Sequence, residues 1–286
     1  MILKDYHIHT YYSSDSSEDP ENIIKAAIDK GLVGICFTDH MDLDWPETKR
    51  NLMETELGKK GIAFKKKLNG LPETAQLPQF TFNPEPYVAE LSKLQKKYSG
   101  KLDIKIGAEF GLRPGRKDLE KEYIYIKNHY KLDFCLGSLH LIDDADPYYA
   151  DSWDSDREAY IEKYFSTLLT VVNEYDCFDS LAHIDYVARY LPEMKGFSGR
   201  EIEEFADGLY KKNALTIDEV LKVIIAKEKA LEINTGGLKK PYMHLHPVKQ
   251  ILDRYVELGG TKFSFGSDAH SADRVGYGFS DIKCPI

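Results

Sequence analysis

Tyr6-His7-Ile8-His9-Thr10 closes the short apolar run that opens the chain, Ile2 to His9, and it places two of the nine histidines on alternate positions. Successive side chains of an extended strand point to opposite faces, so His7 and His9 point the same way, and two imidazoles on one strand face can share one metal ion. Taken alone, the pair reads better as a polar strand end with two solvated histidines. Its weight comes from repetition, because a short apolar run ending in His, Asp or Glu recurs down the whole chain.

The recurrence follows a strand–loop–helix rhythm. After the Ser/Asp-rich loop from Thr10 to Pro20, which carries Asp15, Pro20 stands where a first-turn proline would. Ile23, Ile24, Ala27 and Ile28 then recur at helical spacing before Gly31 closes the helix. Val33 to Thr38 reads as the second strand, ending in Asp39-His40. Helical stretches are expected over 84–98, 117–129, 157–175, 199–212, 216–229 and 246–258. Between them lie strands over 103–110, 133–139, 178–182, 230–234 and 262–266. These end at Glu109, at Ser138-Leu139-His140, at His183-Ile184-Asp185, at Asn234 and at Ser267-Asp268-Ala269-His270. The seven strand candidates alternating with helices indicate one parallel α/β barrel spanning 1–286. From Met41 to Asn83 the periodicity is lost, and a stretch this long is expected to be an insertion, a lid over the active face or a surface excursion.

In a parallel βα barrel the carboxyl ends of all strands converge on one face, where the chemistry is done. His7, His9, Asp15, His40, Glu109, His140, His183, Asp268 and His270 all fall at strand ends or just beyond. Imidazole and carboxylate donors without thiolate suit Zn, Fe or Mn. Nine candidate ligands exceed the needs of one ion. At about four to six ligands each, waters included, they imply a cluster of two or three.

Tyr6-His7-Ile8-His9-Thr10, Thr38-Asp39-His40, Gly137-Ser138-Leu139-His140 and Gly266-Ser267-Asp268-Ala269-His270, in this order, resemble the four signature motifs of the polymerase and histidinol phosphatase (PHP) family. The resemblance implies a distorted (β/α)7 TIM-like barrel with a trinuclear metal centre at the carboxyl ends of its strands. Gly107-Ala108-Glu109-Phe110-Gly111, Ala182-His183-Ile184-Asp185 and Phe82-Asn83-Pro84-Glu85 are similar to the branch of the family that hydrolyses L-histidinol phosphate. Carried over position by position, it implies that His7 and His9 hold one metal with Glu109 and Asp268. Glu109 then bridges to a second, which also takes His140 and His183, while Asp15, His40 and His270 hold the third. Asp15 stands where other members carry His, a change between two competent ligands that favours a harder ion.

The implied reaction is hydrolysis of a phosphate monoester, among the slowest uncatalysed reactions in water. Metal ions would generate hydroxide near neutral pH and neutralise the phosphoryl oxygens. Glu109, Asp268 and His270 are the catalytic candidates, Asp268 or a neighbouring histidine being the proton donor to the departing alkoxide. Arginine suits bidentate phosphate recognition, which nominates Arg157 and Arg189, with Arg113 and Arg116 behind them. Glu232 and Asn234, on the sixth strand, are candidates for contact with the amino alcohol or imidazole, or for a structural hydrogen bond. The second His-X-His, His244-Leu245-His246, lies in a loop and is read as loop chemistry or a pocket edge, without metal. His129 is expected at a helix end, where a cation is favourable.

Composition narrows the partners. With 38 Lys plus Arg against 47 Asp plus Glu, the net charge of −9 disfavours a broad nucleic-acid surface and says little about the substrate; the small-molecule phosphate monoester expected as partner is what the resemblance implies. The hydrophobic share of 42% and charged share of 30% are ordinary for a globular chain, which excludes a fibrous or largely disordered protein. Cys36, Cys135, Cys177 and Cys284 form no Cys-X-X-Cys pair, which argues against a thiolate zinc site or a disulfide framework. With no signal-like N-terminal segment and no apolar run long enough for a bilayer, a reducing cytoplasm is the expected setting. The sequence leaves the oligomeric state open. Rival readings are a PHP-type phosphoesterase with another small phosphomonoester or nucleotide, a non-catalytic metal-binding barrel, and a metal-dependent amidohydrolase. The last would offer eight strands and a lysine at the end of the fourth, where this chain has His140.

Overall fold

The computed structural model describes residues 4–46, 80–148, 156–191, 196–240, 242–280 and 282. Of the expected insertion at 41–83, residues 47–79 lie outside the described residues. The chain forms two compact units interleaved in sequence: Met1–Gly111 with Lys121–Leu136 and Phe265–Ile286, and Leu112–Glu120 with Gly137–Ser264.

In the first unit β1 (Lys4–Asp5) pairs in parallel with β2 (Gly34–Phe37), and β2 with the long β4 (Asp103–Gly111). A two-residue strand, β3 (His40–Met41), absent from the sequence reading, also pairs with β4 and sets His40 opposite Glu109. Asp133 N–H bonds to Ile106 O at 2.7 Å as the chain enters β5 (Phe134–Ser138). On the far side of β1, Tyr6 N–H bonds to Phe265 O, and Ile8 bridges Ala269 in parallel beyond β8 (Phe263–Gly266). The first strand is therefore shorter as a ladder than the apolar run predicts, and isolated backbone contacts continue it to His9.

Helix α1 (Pro20–Asp29) starts where the sequence puts it. Asp19 caps it by accepting the Glu21 N–H, Pro20 supplies a preset φ, and Ile23, Ile24 and Ala27 are buried. The same grammar starts α2 (Pro84–Lys97), where Asn83 is the cap and Tyr87 and Leu91 are buried. Tyr87 donates to Gly107 O at 3.0 Å, tying α2 to β4. In α3 (Lys117–His129), which ends at His129 as predicted, Tyr123 stacks on Phe110 and donates to Gly111 O.

In the second unit Ala182 N–H bonds to Gly137 O at the end of β5, and β6 (Ser180–Leu181) pairs in parallel with β7 (Ala230–Asn234). Leu231 N–H bonds to Lys262 O at the start of β8. Strands β5 and β8 thus each run through both units. Helix α4 (Arg157–Glu174), capped by Asp156, packs on α5 (Gly199–Ala226), and α6 (Lys249–Glu257) follows. The two helices expected over 199–212 and 216–229 are one element bent at Asn213, whose φ of −115° leaves the helical region and whose amide donates to Leu209 O. Cys36, Cys135 and Cys177 are buried and unbridged, as small core residues.

Candidate metal centre

Seven of the expected ligands gather in the first unit. Glu109 is fully buried, and its Oε2 stands 3.3 Å from His7 Nε2, 3.5 Å from His9 Nε2 and 3.1 Å from His40 Nδ1. Asp268 Oδ1 stands 3.4 Å from His9 Nε2, 3.7 Å from His7 Nε2 and 3.6 Å from His270 Nδ1. Asp15 closes the set, with Oδ2 3.0 Å from His270 Nε2 and 3.5 Å from His40 Nε2. The His9 ring stacks on both His40 and His270, with centroids 4.3 and 4.2 Å away, and those two rings lie 6.2 Å from each other.

The electrostatics of this unit follow from burial and crowding. His9 is pushed down to about 3 by burial and by the neighbouring His270 and His40, so it is a neutral imidazole, the form that ligates a metal. Burial is the largest single influence on His40 and His270 and opposes their charge, but the acids around them together outweigh it, Asp15 with Glu109 and Asp42 at His40 and Asp15 with Asp268 at His270, and their pKa values rise. Burial would raise Asp15, yet His270 and His40 pull it well below the usual carboxylate range.

The donor set fits a divalent cation. Donor atoms of His7, His9 and Asp268 all lie within 4.8 Å of one another, and so do those of His9, His40 and His270. His9 Nε2 and Asp15 Oδ1 are buried and make no hydrogen bond, a costly state that a cation relieves. Three carboxylates supply the negative charge against which a cation is stable.

His140 and His183 belong to the second unit, where their rings lie 5.5 Å apart and both touch Tyr186. His183 opens a tight turn continued by the 3-10 segment Tyr186–Arg189, and its backbone N–H donates to Glu232 Oε2 at 2.8 Å. Asn234 donates to the same carboxylate and accepts the Gly236 N–H. Glu232 and Asn234 thus make the structural hydrogen bonds of the alternative sequence reading. The arginines divide. Arg113 pairs with Asp144, and Arg116 pairs with Asp118 at 2.7 Å, so acidic partners engage both. Arg189 lies over the Tyr186 ring at 5.9 Å, and Arg157 opens α4.

Several buried polar residues escaped the sequence reading. Asp39, quoted only as part of a motif, accepts from the Thr10 and Ser13 backbones and hydroxyls and so organises the loop after His9. Asp42 stands 3.5 Å from His40 Nδ1 and lies against Gly111, where an added Cβ would meet its Oδ1 at 2.0 Å. Asp5 is buried under Ser267, Gly276 and His7 and accepts from the backbone of each. His246, read as loop chemistry, is fully buried against Asp185. The available signal was polarity inside apolar runs, as in Leu3-Lys4-Asp5-Tyr6.

Parallel strands alternating with helices, and imidazoles set against carboxylates at strand ends, define a metal-binding α/β protein. The PHP-domain family matches residues 5–236, and the chain belongs to that family. A probable histidinol-phosphatase of Clostridium acetobutylicum is 32% identical over 281 residues, covering 98% of this chain and 91% of that protein. The histidinol-phosphatase of Lactococcus lactis subsp. lactis is 29% identical over 276 residues, covering 96% and 86%. Among solved structures, the histidinol phosphate phosphatase of Lactococcus lactis subsp. lactis, complexed with zinc, L-histidinol and phosphate, superposes with a TM-score of 0.71 at 28% identity. It covers 94% of this chain and 87% of that one. A Listeria monocytogenes structure superposes with a TM-score of 0.75 at 20% identity, covers 98% and 100%, and bears on the fold. The fold class is the α/β, distorted TIM-like barrel class expected from the sequence. Among the described residues no helix is long and apolar enough to cross a membrane.

Proposed function

We propose that this chain is a metal-dependent phosphomonoesterase that hydrolyses L-histidinol phosphate to L-histidinol and phosphate, a step of histidine biosynthesis. The observation that carries the reading is the gathering of His7, His9, Asp15, His40, Glu109, Asp268 and His270 in one cluster, buried except for the partly exposed Asp15 and His270. Its chain-length relative from Lactococcus lactis binds zinc, L-histidinol and phosphate.

Two or three divalent ions, Zn, Fe or Mn, are the cofactors of this reading. His7, His9, Glu109 and Asp268 would hold one and Asp15, His40 and His270 another, and His140 and His183 would supply a further imidazole pair. Bound there, the ions lower the pKa of water and neutralise charge on the phosphoryl oxygens. The chain's own residues orient and balance charge. Ser13 and Asp39 fix the His9 ring, and Glu109 and Asp268 keep the imidazoles in a negative field. Asp268, whose Oδ1 faces three imidazoles, or one of those histidines would pass a proton to the departing alkoxide. Arg157 and Arg189 are the residues assigned to the phosphate, because a planar guanidinium suits bidentate recognition of its oxygens.

The purified chain should release phosphate from L-histidinol phosphate at least about tenfold faster, in kcat/KM, than from a panel of sugar, nucleotide and aryl phosphates. Each factor of ten corresponds to about 1.4 kcal/mol of transition-state discrimination. Turnover no faster than of an aryl phosphate would refute the substrate and leave the metallophosphatase reading standing. Turnover of none of them, with zinc, manganese or iron supplied, would refute both.

A further inference from the structure

The second His-X-His of the chain lies outside the ligand set, and its two imidazoles have different surroundings. His244 is half-buried and faces Glu203 at 3.7 Å. His246 is fully buried, and its Nδ1 stands 2.6 Å from Oδ1 of Asp185, itself fully buried. The other Asp185 oxygen accepts the Val248 N–H at 2.9 Å. The backbone of His246 is clamped in both directions to Asn234, at 2.9 and 2.7 Å. Its ring stacks on Tyr242 and fits against Gly237, where an added Cβ would come within 2.7 Å of Nε2. The imidazole therefore has a single orientation.

Burying an acid with an imidazole away from water is costly, and an apolar pair of equal volume would avoid that cost. What the polar pair supplies is direction. Asp185 sits two residues beyond His183 in a turn closed by Tyr186 N–H on His183 O at 2.7 Å and Ala188 N–H on Asp185 O at 2.8 Å. Fixing the Asp185 carboxylate fixes this turn from one side, while Glu232 takes the His183 N–H from the other. We propose that His246 is a positioning residue that, through Asp185, holds His183 at the angle from which its imidazole ligates metal. His246 itself touches no metal, and the inference rests on the reading of His183 as a ligand.

The test compares His246→Asn with His246→Leu in the full chain. The two side chains have the same shape, and only asparagine can donate to Asp185, so any cavity is common to both. The readout is zinc binding by competition with a chromogenic chelator, with far-UV circular dichroism as the check on folding. His246→Leu should weaken one class of zinc sites about 10–100-fold and leave the remaining class at wild-type affinity, while His246→Asn should stay within a few-fold of wild type. Wild-type binding by His246→Leu would overturn the proposal. So would equal weakening of all sites, or equal losses in the two variants, since those are the marks of a merely structural role. A His183→Ala control that kept full zinc stoichiometry would overturn the underlying ligand assignment, and this proposal with it. No arm depends on phosphate release, so failure of the histidinol phosphate assignment is read separately.

Discussion

The hydroxyl oxygen of Ser13 stands 3.0 Å from Nδ1 of His9. It also lies 2.7 Å from Asp39 Oδ1, an acceptor that claims the single hydroxyl proton, and it accepts the His40 N–H at 3.0 Å. Ser13 Oγ is therefore an acceptor toward His9, which places the ring proton on Nδ1 and leaves the Nε2 lone pair for a metal. Ser13→Ala should weaken metal binding about 10–100-fold with the fold intact, as measured by equilibrium dialysis against zinc. Affinity within twofold of wild type would mean that the stacked His40 and His270 rings alone hold His9.

Asp268 adopts φ = 53° at the end of β8, in the left-handed region that asparagine tolerates nearly as well as aspartate. Asp268→Asn should therefore keep the backbone and remove the charge facing His7, His9 and His270. Phosphate release is expected to fall more than about 100-fold, beyond the loss typical of residues that only orient ligands. The thermal midpoint of the metal-free protein should change little. Asp268→Val, β-branched at a positive φ, should lose stability as well, and that contrast separates chemistry from strain.

Residues at strand ends announced themselves in the sequence because parallel strands deliver their carboxyl ends to one face, so periodicity alone pointed to His7, His9, His40, Glu109 and Asp268. Helices with local punctuation were equally legible. Asp19-Pro20 and Asn83-Pro84 encode their own starts, and Lys117–His129 and Ala230–Asn234 have the expected bounds. What stayed hidden was long-range. Asp39 serves Ser13 across 26 positions, and His246 finds Asp185 across 61, separations that carry no periodic signal. The bend at Asn213 falls in the gap between the helices expected over 199–212 and 216–229, and Leu215 beside it is exposed, so no buried side chain there marks the helix as continuous. Ladder lengths failed for the same reason, since β1 and β6 pair over two residues each, whatever the length of the apolar run.

Removing metal should cost stability as well as activity. In the first unit the carboxylates of Asp15, Glu109 and Asp268 face one another through four imidazoles, and cations bound only by the native state stabilise it by mass action. At free metal about 100-fold above Kd the contribution is about 2.7 kcal/mol per site. Dialysis against a chelator should lower the thermal midpoint by several degrees and abolish phosphate release, and stoichiometric zinc or manganese should restore both. A chelated protein with an unshifted midpoint would contradict the cluster.

Asp5 makes stability depend on pH with an unusual sign. Burial raises its pKa from 3.8 to about 6, although Ser267, Gly276 and His7 donate to it. Between those values the unfolded chain has released the proton while the folded chain retains it, so stability falls as pH rises through this window and levels off above it. About 2 pKa units correspond to roughly 3 kcal/mol. Asp5→Asn has no such proton. Measured by urea denaturation of the metal-free proteins, the wild type should lose roughly 3 kcal/mol relative to Asp5→Asn between pH 4 and pH 7. A gap that did not change with pH would show that the hydrogen bonds from Ser267, Gly276 and His7 offset the burial.

Gly107 sets the spacing of β4 and β5 two residues before Glu109. An added Cβ would meet Phe134 O at 1.9 Å and Cys36 Sγ at 3.0 Å, and the first of these is backbone that cannot swing aside. Tyr87 also donates to Gly107 O from α2, so the strand is held from a third direction and has no free side toward which to retreat. Gly107→Ala should therefore destabilise the chain by about 1–3 kcal/mol or more through overpacking, read as a lower urea midpoint. The displaced β4 should carry Glu109 with it, so zinc affinity should fall together with stability. Gly100→Ala is the control: that residue has nothing within 4 Å of an added Cβ, and its φ of 79° makes its cost purely conformational. It should lose about 1 kcal/mol and leave zinc affinity unchanged. Equal zinc affinities in the two variants would mean that β4 bends around the clash without moving Glu109.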